Sequence, residues 1–416
     1  VEDDGITRKM EQMCGSVISK LRGNLLRKNF FVAAALCAVA ASCQRSFELP
    51  PVWGLGENVP VIRVAIVQDT SSAKVAIYMP YEVRDSNGKV IAEGASLRES
   101  SLAWADGGFY LGMTFLRGER IQIIPRFDGT IVVNGKGYRG SLVVLPGSSA
   151  DAKAFAIVNY VNLEHYVASV VSGEMYSSWP KAALRAQAVA ARTYAVFQMK
   201  QRGKNQDWDV TAGVESQVYP GLSGETTVSR KAAEDTFGVV LTYEGKVFPA
   251  YYHSTCGDCT ASVQDVFGEE EIPPLAGGVW CSNCQESPFY RWTAQISPEE
   301  VAQALNSAGF AASQVRDVKV VEFDQNGRAK SVEIETPKSK FLIKAGEFRR
   351  ILGTRRIRST AFSIALEGSV FVIKGAGWGH GVGMCQWGAC GMAKRGFPAD
   401  EILKHFYRES EIIRLY

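Results

Sequence analysis

Between Gly375 and Gly383 every second residue is glycine, with Ala376, Trp378, His380 and Val382 standing between them. No other stretch restricts this chain so strongly. In an extended strand successive side chains point to opposite faces. The pattern therefore predicts a strand with one face of bare hydrogen and the other carrying Ala376, Trp378, His380, Val382 and Met384. Interior glycines weaken a strand, but a bare face lets a ligand or another backbone approach closely. The run is not a dinucleotide fingerprint, which needs glycine at the first, third and sixth positions. Counting from Gly375, the sixth position is His380.

The opening residues bear on location. Lys20, Arg22, Arg27 and Lys28 precede an uncharged run from Phe30 to Ser42. That run is too short to span a bilayer and has the size of a signal-peptide core. It closes with Ala40-Ala41-Ser42-Cys43, small residues before a cysteine, as in a bacterial lipobox with alanine where leucine is usual. Residues 1–43 are expected to direct export, and Cys43 to carry a lipid that anchors the mature protein to a membrane. An ordinary secretory signal cleaved nearby would export the chain without the anchor. Residues 44–60, which include Pro50-Pro51, read as a linker.

A formal charge of +3 over 416 residues, with no long basic run, excludes a simple electrostatic grip on nucleic acid. From residue 61 short alternating runs predict strands at Ile62–Val67, Lys74–Tyr78, Arg120–Ile124 and Thr130–Asn134. Ser86-Asn-Gly-Lys and Asn134-Gly-Lys-Gly offer hairpin turns. Helical character begins near Leu163. The fold class is therefore α+β: a β-rich N-terminal part, a helical part, and a small α+β insertion around a cleft.

The helical part holds a candidate acid. Ser172-Gly-Glu-Met-Tyr-Ser-Ser-Trp-Pro180 leads into an alanine-rich helix from Lys181, which Ser177 or Ser178 could cap with Pro180 in the first turn. Glu174 stands just before it, between Gly173 and Met175 and close to Trp179. A carboxyl group in apolar surroundings stays protonated nearer neutral pH and can donate its proton. A glutamate on a solvated turn fits the same local sequence.

Four cysteines form two Cys-x2-Cys knuckles, Cys256–Cys259 and Cys281–Cys284. Such pairs supply four thiolates for a tetrahedral zinc ion, and His253 is an alternate ligand. The expected cofactor is a structural zinc. An oxidising compartment would instead favour two disulfides. Cys385 and Cys390 read as free buried thiols.

Taken together these segments resemble the stage II sporulation protein D family (SpoIID/LytB), lytic enzymes and amidase modifiers of bacterial peptidoglycan. The resemblance rests on Asn134-Gly-Lys-Gly-Tyr-Arg-Gly140, Gly173-Glu-Met175 with Trp179-Pro180, and Ala186-Gln-Ala-Val-Ala-Ala-Arg-Thr-Tyr-Ala195. It continues in Ser216-Gln-Val-Tyr219, Ala250-Tyr-Tyr-His-Ser-Thr255, Gly377–Met384 and Gln386-Trp-Gly388. The family pattern usually has serine where this chain has Cys385, and an aromatic residue where it has Cys390.

The resemblance implies a lytic transglycosylase that cleaves the bond between N-acetylmuramic acid and N-acetylglucosamine, with Glu174 as its acid and base. It implies that Tyr194, Gln217, Tyr219, Tyr251, His253, Trp378 and His380 line the glycan groove. A non-catalytic role, enhancing a cell-wall amidase, is the second reading. Either places the protein in the cell envelope, facing peptidoglycan. Residues 61–286 and 361–416 would form the family domain. Residues 287–360 would form the inserted subdomain, opening with a capped amphipathic helix at Ser297–Leu305, and Ala399–Phe406 would close the chain as another.

Overall fold

The computed structural model describes residues 59–105, 107–147, 153–203 and 206–416. The expected export segment, Cys43 and nearly all of the expected linker lie outside them. Among the described residues no helix is long and apolar enough to cross a membrane.

The expected strands form, and their alternation decides which side chains are buried. Val61–Thr70 buries Ile62 and Val64, Ala73–Ile77 buries Val75 and Ile77, and Ile121–Pro125 buries Ile123. Two sheets result. In the seven-stranded sheet Val61–Thr70 pairs antiparallel with Phe155–Asn162, which pairs in turn with Ser141–Pro146. The six-stranded sheet is built around Ala73–Ile77. The Asn134-Gly135 turn joins Ile131–Val133 to Lys136–Tyr138 with φ of 47° and 79°, the left-handed pair a tight hairpin demands.

Strand Phe155–Asn162 runs directly into helix Leu163–Glu174, where the Asn162 side chain accepts from the Glu164 N–H at 2.8 Å. The alanine-rich helix, Lys181–Arg202, packs against it. That helix starts without the expected serine cap. Pro180 occupies the cap position at φ −57° and ψ 141°, and no side chain accepts there. Ser177 and Ser178 lie in the exposed loop before it.

Small residues let the two helices approach closely, and one large polar group fills the remaining space. Arg192 is fully buried and forks onto Glu164, Nε to Oε1 at 2.8 Å and Nη2 to Oε2 at 2.6 Å. It also donates to the carbonyls of Val239 and Ala233, and the C-terminal Tyr416 hydroxyl donates to Glu164 at 2.5 Å. Replacing one member strands the other charge in the core. Arg192→Met is expected to cost about 3–5 kcal/mol in urea unfolding. Glu164→Gln combined with Arg192→Met should recover part of that loss, which a double-mutant cycle would read.

Residues beyond the cysteine loop build a second core. The helix Pro298–Ser307 carries the expected capping box between Ser297 and Glu300. Strands Asp317–Phe323, Ala329–Glu335 and Lys340–Lys344 make one sheet. Arg291–Ile296, Val370–Ala376 and Phe362–Glu367 make another. Their shared core includes Trp292, Val301, Leu305, Val332, Phe348 and Ile373, so it extends past Thr360 into the strands before the glycine run. The helix Ala399–Phe406 forms as expected.

The glycine run itself departs from the extended strand. The strand ends at Ala376, and Gly377, Gly379, Gly381 and Gly383 all adopt positive φ, between 69° and 109°. The backbone therefore weaves, turning at every second residue. A side chain at Gly377 would meet the Thr255 carbonyl, and one at Gly383 the Tyr251 carbonyl. These glycines are needed for their dihedrals and for close backbone approach, and the bare face of a flat strand does not form.

Candidate functional site

Glu174 is the last residue of helix Leu163–Glu174, and its neighbours come from three other segments. Gly173 has no side chain to obstruct Val218 and Pro220, so the 216–220 loop closes against the helix end. The Val218 N–H then donates to Glu174 Oε1 at 2.8 Å. Tyr252 and Gln386 face the same carboxyl. Behind them Gln217 accepts from the Tyr166 hydroxyl at 2.9 Å and donates to the Tyr252 hydroxyl at 2.9 Å. That arrangement leaves the proton of Tyr252 for Glu174. Burial is the dominant influence and raises the Glu174 pKa above the ordinary carboxyl value, while the Val218 N–H and the nearby polar side chains of Gln386 and Tyr252 pull it part of the way back.

Glu174 reaches a cavity of about 350 Å³ walled by Tyr194, Ser216, Tyr251, His253, Phe267 and His380. Its aromatic rings contact one another, with Tyr194–Tyr251 centroids 5.8 Å apart and His253–His380 centroids 5.6 Å apart. Tyr251 donates to Glu269 at 2.6 Å. His380 donates from Nε2 to the Tyr252 carbonyl at 2.9 Å and accepts the Val382 N–H at Nδ1. Burial lowers its pKa to about 4, and burial also pushes His253 well below its usual value. Both imidazoles are neutral at pH 7. His253 Nδ1 donates to Val382, and its buried Nε2 has no hydrogen-bond partner among the described residues. Glu215 stands exposed on the rim.

Four cysteines gather beside this floor, and they are not the four that the two knuckles suggest. The sulfurs of Cys256, Cys281, Cys284 and Cys385 all lie within 4.8 Å of one another, and all four residues are buried. Cys259 stands outside the group with its thiol toward Asn326 at 3.8 Å, and His253 is outside as well. The expected ligand set is corrected accordingly: Cys385 takes the place of Cys259. Pairing explains the exchange. Tyr252–His253 lies parallel to Met384–Cys385, and the Thr255 and Trp378 backbones exchange hydrogen bonds, which brings Cys385 to Cys256. Cys385 also caps helix Gln386–Lys394, accepting from the Gly388 N–H at 3.2 Å and the Cys256 N–H at 3.3 Å. A side chain at Gly388 would come 2.5 Å from Cys281 Sγ, so glycine is required there.

The donor set fits a metal. A tetrahedron of 2.3 Å Zn–S bonds separates its sulfurs by about 3.8 Å, and Cys256 and Cys284 stand 3.6 Å apart. Hydrogen bonds to its neighbouring thiols hold the Cys256 pKa well up, burial does the same for Cys385, and Cys284, which accepts those bonds, ionises first. A cation between the sulfurs would remove the conflict. Cys390 is buried and separate from the cluster.

Residues 151–243, which contain Glu174 and the alanine-rich helix, match the family model described as stage II sporulation protein, SpoIID. Residues 277–383 match a domain of unknown function. A relative from Brachyspira hyodysenteriae, an uncharacterized protein, is 34% identical over 286 residues, covering 69% of this chain and 74% of its own length. The chain belongs to the SpoIID family. It is 28% identical to the stage II sporulation protein D of Bacillus subtilis over 269 residues, covering 61% of this chain and 75% of that protein. It is 26% identical to the amidase enhancer of Bacillus subtilis over 84% of this chain, but spans only 56% of the enhancer.

The SpoIID match ends at residue 243, before the cysteines, so the sulfur cluster belongs to other parts of the chain. Of the residues expected to line a glycan groove, Tyr194, Tyr251, His253 and His380 line this cavity. Gln217 lies one layer behind, bonded to Tyr252. Tyr219 is buried, donates to Asn159 at 2.9 Å and packs on Tyr138 and Tyr166. Trp378 packs on Phe289 with centroids 4.2 Å apart and does not reach the cavity. Sequence reasoning passed over Tyr252, Gln386 and Phe267. Alternation along Tyr251-Tyr252-His253 was a usable signal that the two tyrosines face different ways.

Proposed function

We propose that this SpoIID-family chain is an exported peptidoglycan lytic transglycosylase with Glu174 as its single acid and base. The observation that carries this reading is a mostly enclosed carboxyl, its pKa raised by burial, at the wall of a cavity lined by aromatic rings and neutral imidazoles. Protonated Glu174 would give its proton to the oxygen between N-acetylmuramic acid and N-acetylglucosamine as that bond breaks. The carboxylate formed would take the proton of the muramic 6-hydroxyl, whose oxygen closes a 1,6-anhydro ring on the anomeric carbon. One residue then serves both steps, and no water enters. Neutral His380, the tyrosines and Ser216 suit a polyol, since they bond hydroxyls without demanding charge.

The cysteine cluster would hold a structural zinc, closed by four thiolates and so without a position for substrate. Cys256, Cys281, Cys284 and Cys385 would be its ligands, and its role would be to fix the Tyr252 and Gln386 backbones beneath Glu174. Lipid on Cys43 would hold the protein at a membrane, facing the wall. A second reading, a glycan-binding enhancer of an N-acetylmuramoyl-L-alanine amidase, is supported by the likeness to the amidase enhancer.

Incubation of the purified protein with glycan strands, followed by mass spectrometry of the products, separates the readings. Anhydro-muramic ends are expected. New reducing ends without them would indicate hydrolysis, with Glu215, which lines the same cavity, the candidate for a second carboxylate. Intact strands, with an amidase that runs faster when the protein is added, would establish the enhancer.

A further inference from the structure

Tyr176, Trp179 and Trp387 form a chain of touching rings, with centroids 5.6 Å apart for the first pair and 4.9 Å for the second. Both ends of this chain are tied to Glu174. Tyr176 follows it by two residues, and Trp387 follows Gln386, which faces the Glu174 carboxyl. The Trp387 backbone N–H donates to the Ser254 carbonyl at 3.0 Å. None of the three rings lines the cavity on the Tyr251–His380 side. Tyr176 is 65% exposed although its ring touches Trp179. A large aromatic held out on a loop, with indoles behind it, has the form of a contact surface.

A bond broken at Glu174 has a sugar on each side, and the strand continues in both directions. The cavity accounts for one flank of the carboxyl. We infer that Tyr176, backed by Trp179 and Trp387, is a glycan subsite that stacks on the apolar C–H face of a pyranose ring on the other flank. The inference rests on the transglycosylase reading for the position of the scissile bond. The stacking itself does not depend on cleavage.

The test uses the full chain in a Glu174→Gln background, so that no ligand is consumed, with β-1,4-linked N-acetylglucosamine disaccharide and hexasaccharide as probes. Calorimetry and tryptophan emission report binding. Tyr176→Ala is expected to weaken the hexasaccharide about tenfold, the scale of one lost aromatic contact, and to leave the disaccharide unchanged. Tyr176→Phe should bind the hexasaccharide like the parent. Equal affinities for parent and Tyr176→Ala, or no binding of either oligomer, would overturn the subsite. Tyr176-dependent binding by a protein that yields no anhydro ends would sink the transglycosylase and keep the subsite. Cleavage with Tyr176-independent binding would do the reverse.

Discussion

Glu174→Gln is expected to abolish glycan cleavage and, at neutral pH, to make the protein more stable. Glutamine keeps the shape and can still accept the Val218 N–H at 2.8 Å, but it has no proton to give. Loss of a positioned acid–base group costs on the order of 100- to 10,000-fold in rate, and in the proposed mechanism both proton transfers go through one residue. The stability effect follows from linkage. Burial holds the folded-state pKa of Glu174 above its value of 4.5 in the unfolded chain. The folded protein therefore binds this proton more tightly, and its stability falls as pH rises from about 4.5 through the raised value. Glutamine escapes that loss. The variant and the parent should melt together at low pH and separate progressively above it, which thermal unfolding across pH would show. A constant offset at every pH would mean that the carboxyl is not strained in the fold. Wild-type activity should decline on the alkaline side as the acid form of Glu174 is lost. His380 acts in the opposite direction: with its pKa lowered to about 4, stability is lost as pH falls from 6.5 toward that value.

How much of this was legible depended on whether a feature is local. Strand alternation at Ile62–Val67 and Thr130–Asn134, the Asn134-Gly135 turn and the Ser297–Glu300 capping box are all set by neighbours in sequence, and each forms. The glycine run misled for a physical reason. Period-two glycine satisfies the strand pattern, but glycine also admits positive φ, and only the approach of the Thr255 and Tyr251 carbonyls selects that alternative. Tyr219 and Trp378 fit a sugar groove by chemistry, yet the fold spends them on packing against Tyr166 and Phe289. Tyr252 and Gln386 reach Glu174 from segments far along the chain, a meeting that no spacing encodes. The cysteine set is the clearest case. Two knuckles look complete by spacing, but the pairing of Tyr252–His253 with Met384–Cys385 supplies a fourth sulfur from more than a hundred residues away.

That exchange can be tested directly, and the expected effect is large. The purified protein should hold one zinc ion per chain. Cys385→Ser should lose it, while Cys259→Ser should keep it. A structural zinc site contributes on the order of 10 kcal/mol of folding free energy, comparable to the whole stability of a domain. Cys385→Ser and exhaustive chelation are therefore expected to melt the region that contains Cys256, Cys281 and Cys284. Cys259→Ser removes only a partly buried thiol 3.8 Å from Asn326 and should change stability by about 1 kcal/mol or less. The consequence reaches the chemistry because Cys385 is joined to Gln386, and His253, three residues before Cys256, to Tyr252. Without the metal the two groups that temper the Glu174 carboxyl lose their footing, so glycan cleavage should fail together with zinc occupancy as chelator is added. Elemental analysis of each variant, with thiol titration before and after chelation, provides the readout. Metal retained by Cys385→Ser and lost from Cys259→Ser would restore the paired-knuckle set. A protein with no metal and a bond between Cys256 and Cys284, whose sulfurs already stand 3.6 Å apart, would mean that an oxidising compartment had closed the cluster, leaving Cys281 and Cys385 to be counted as free or paired thiols.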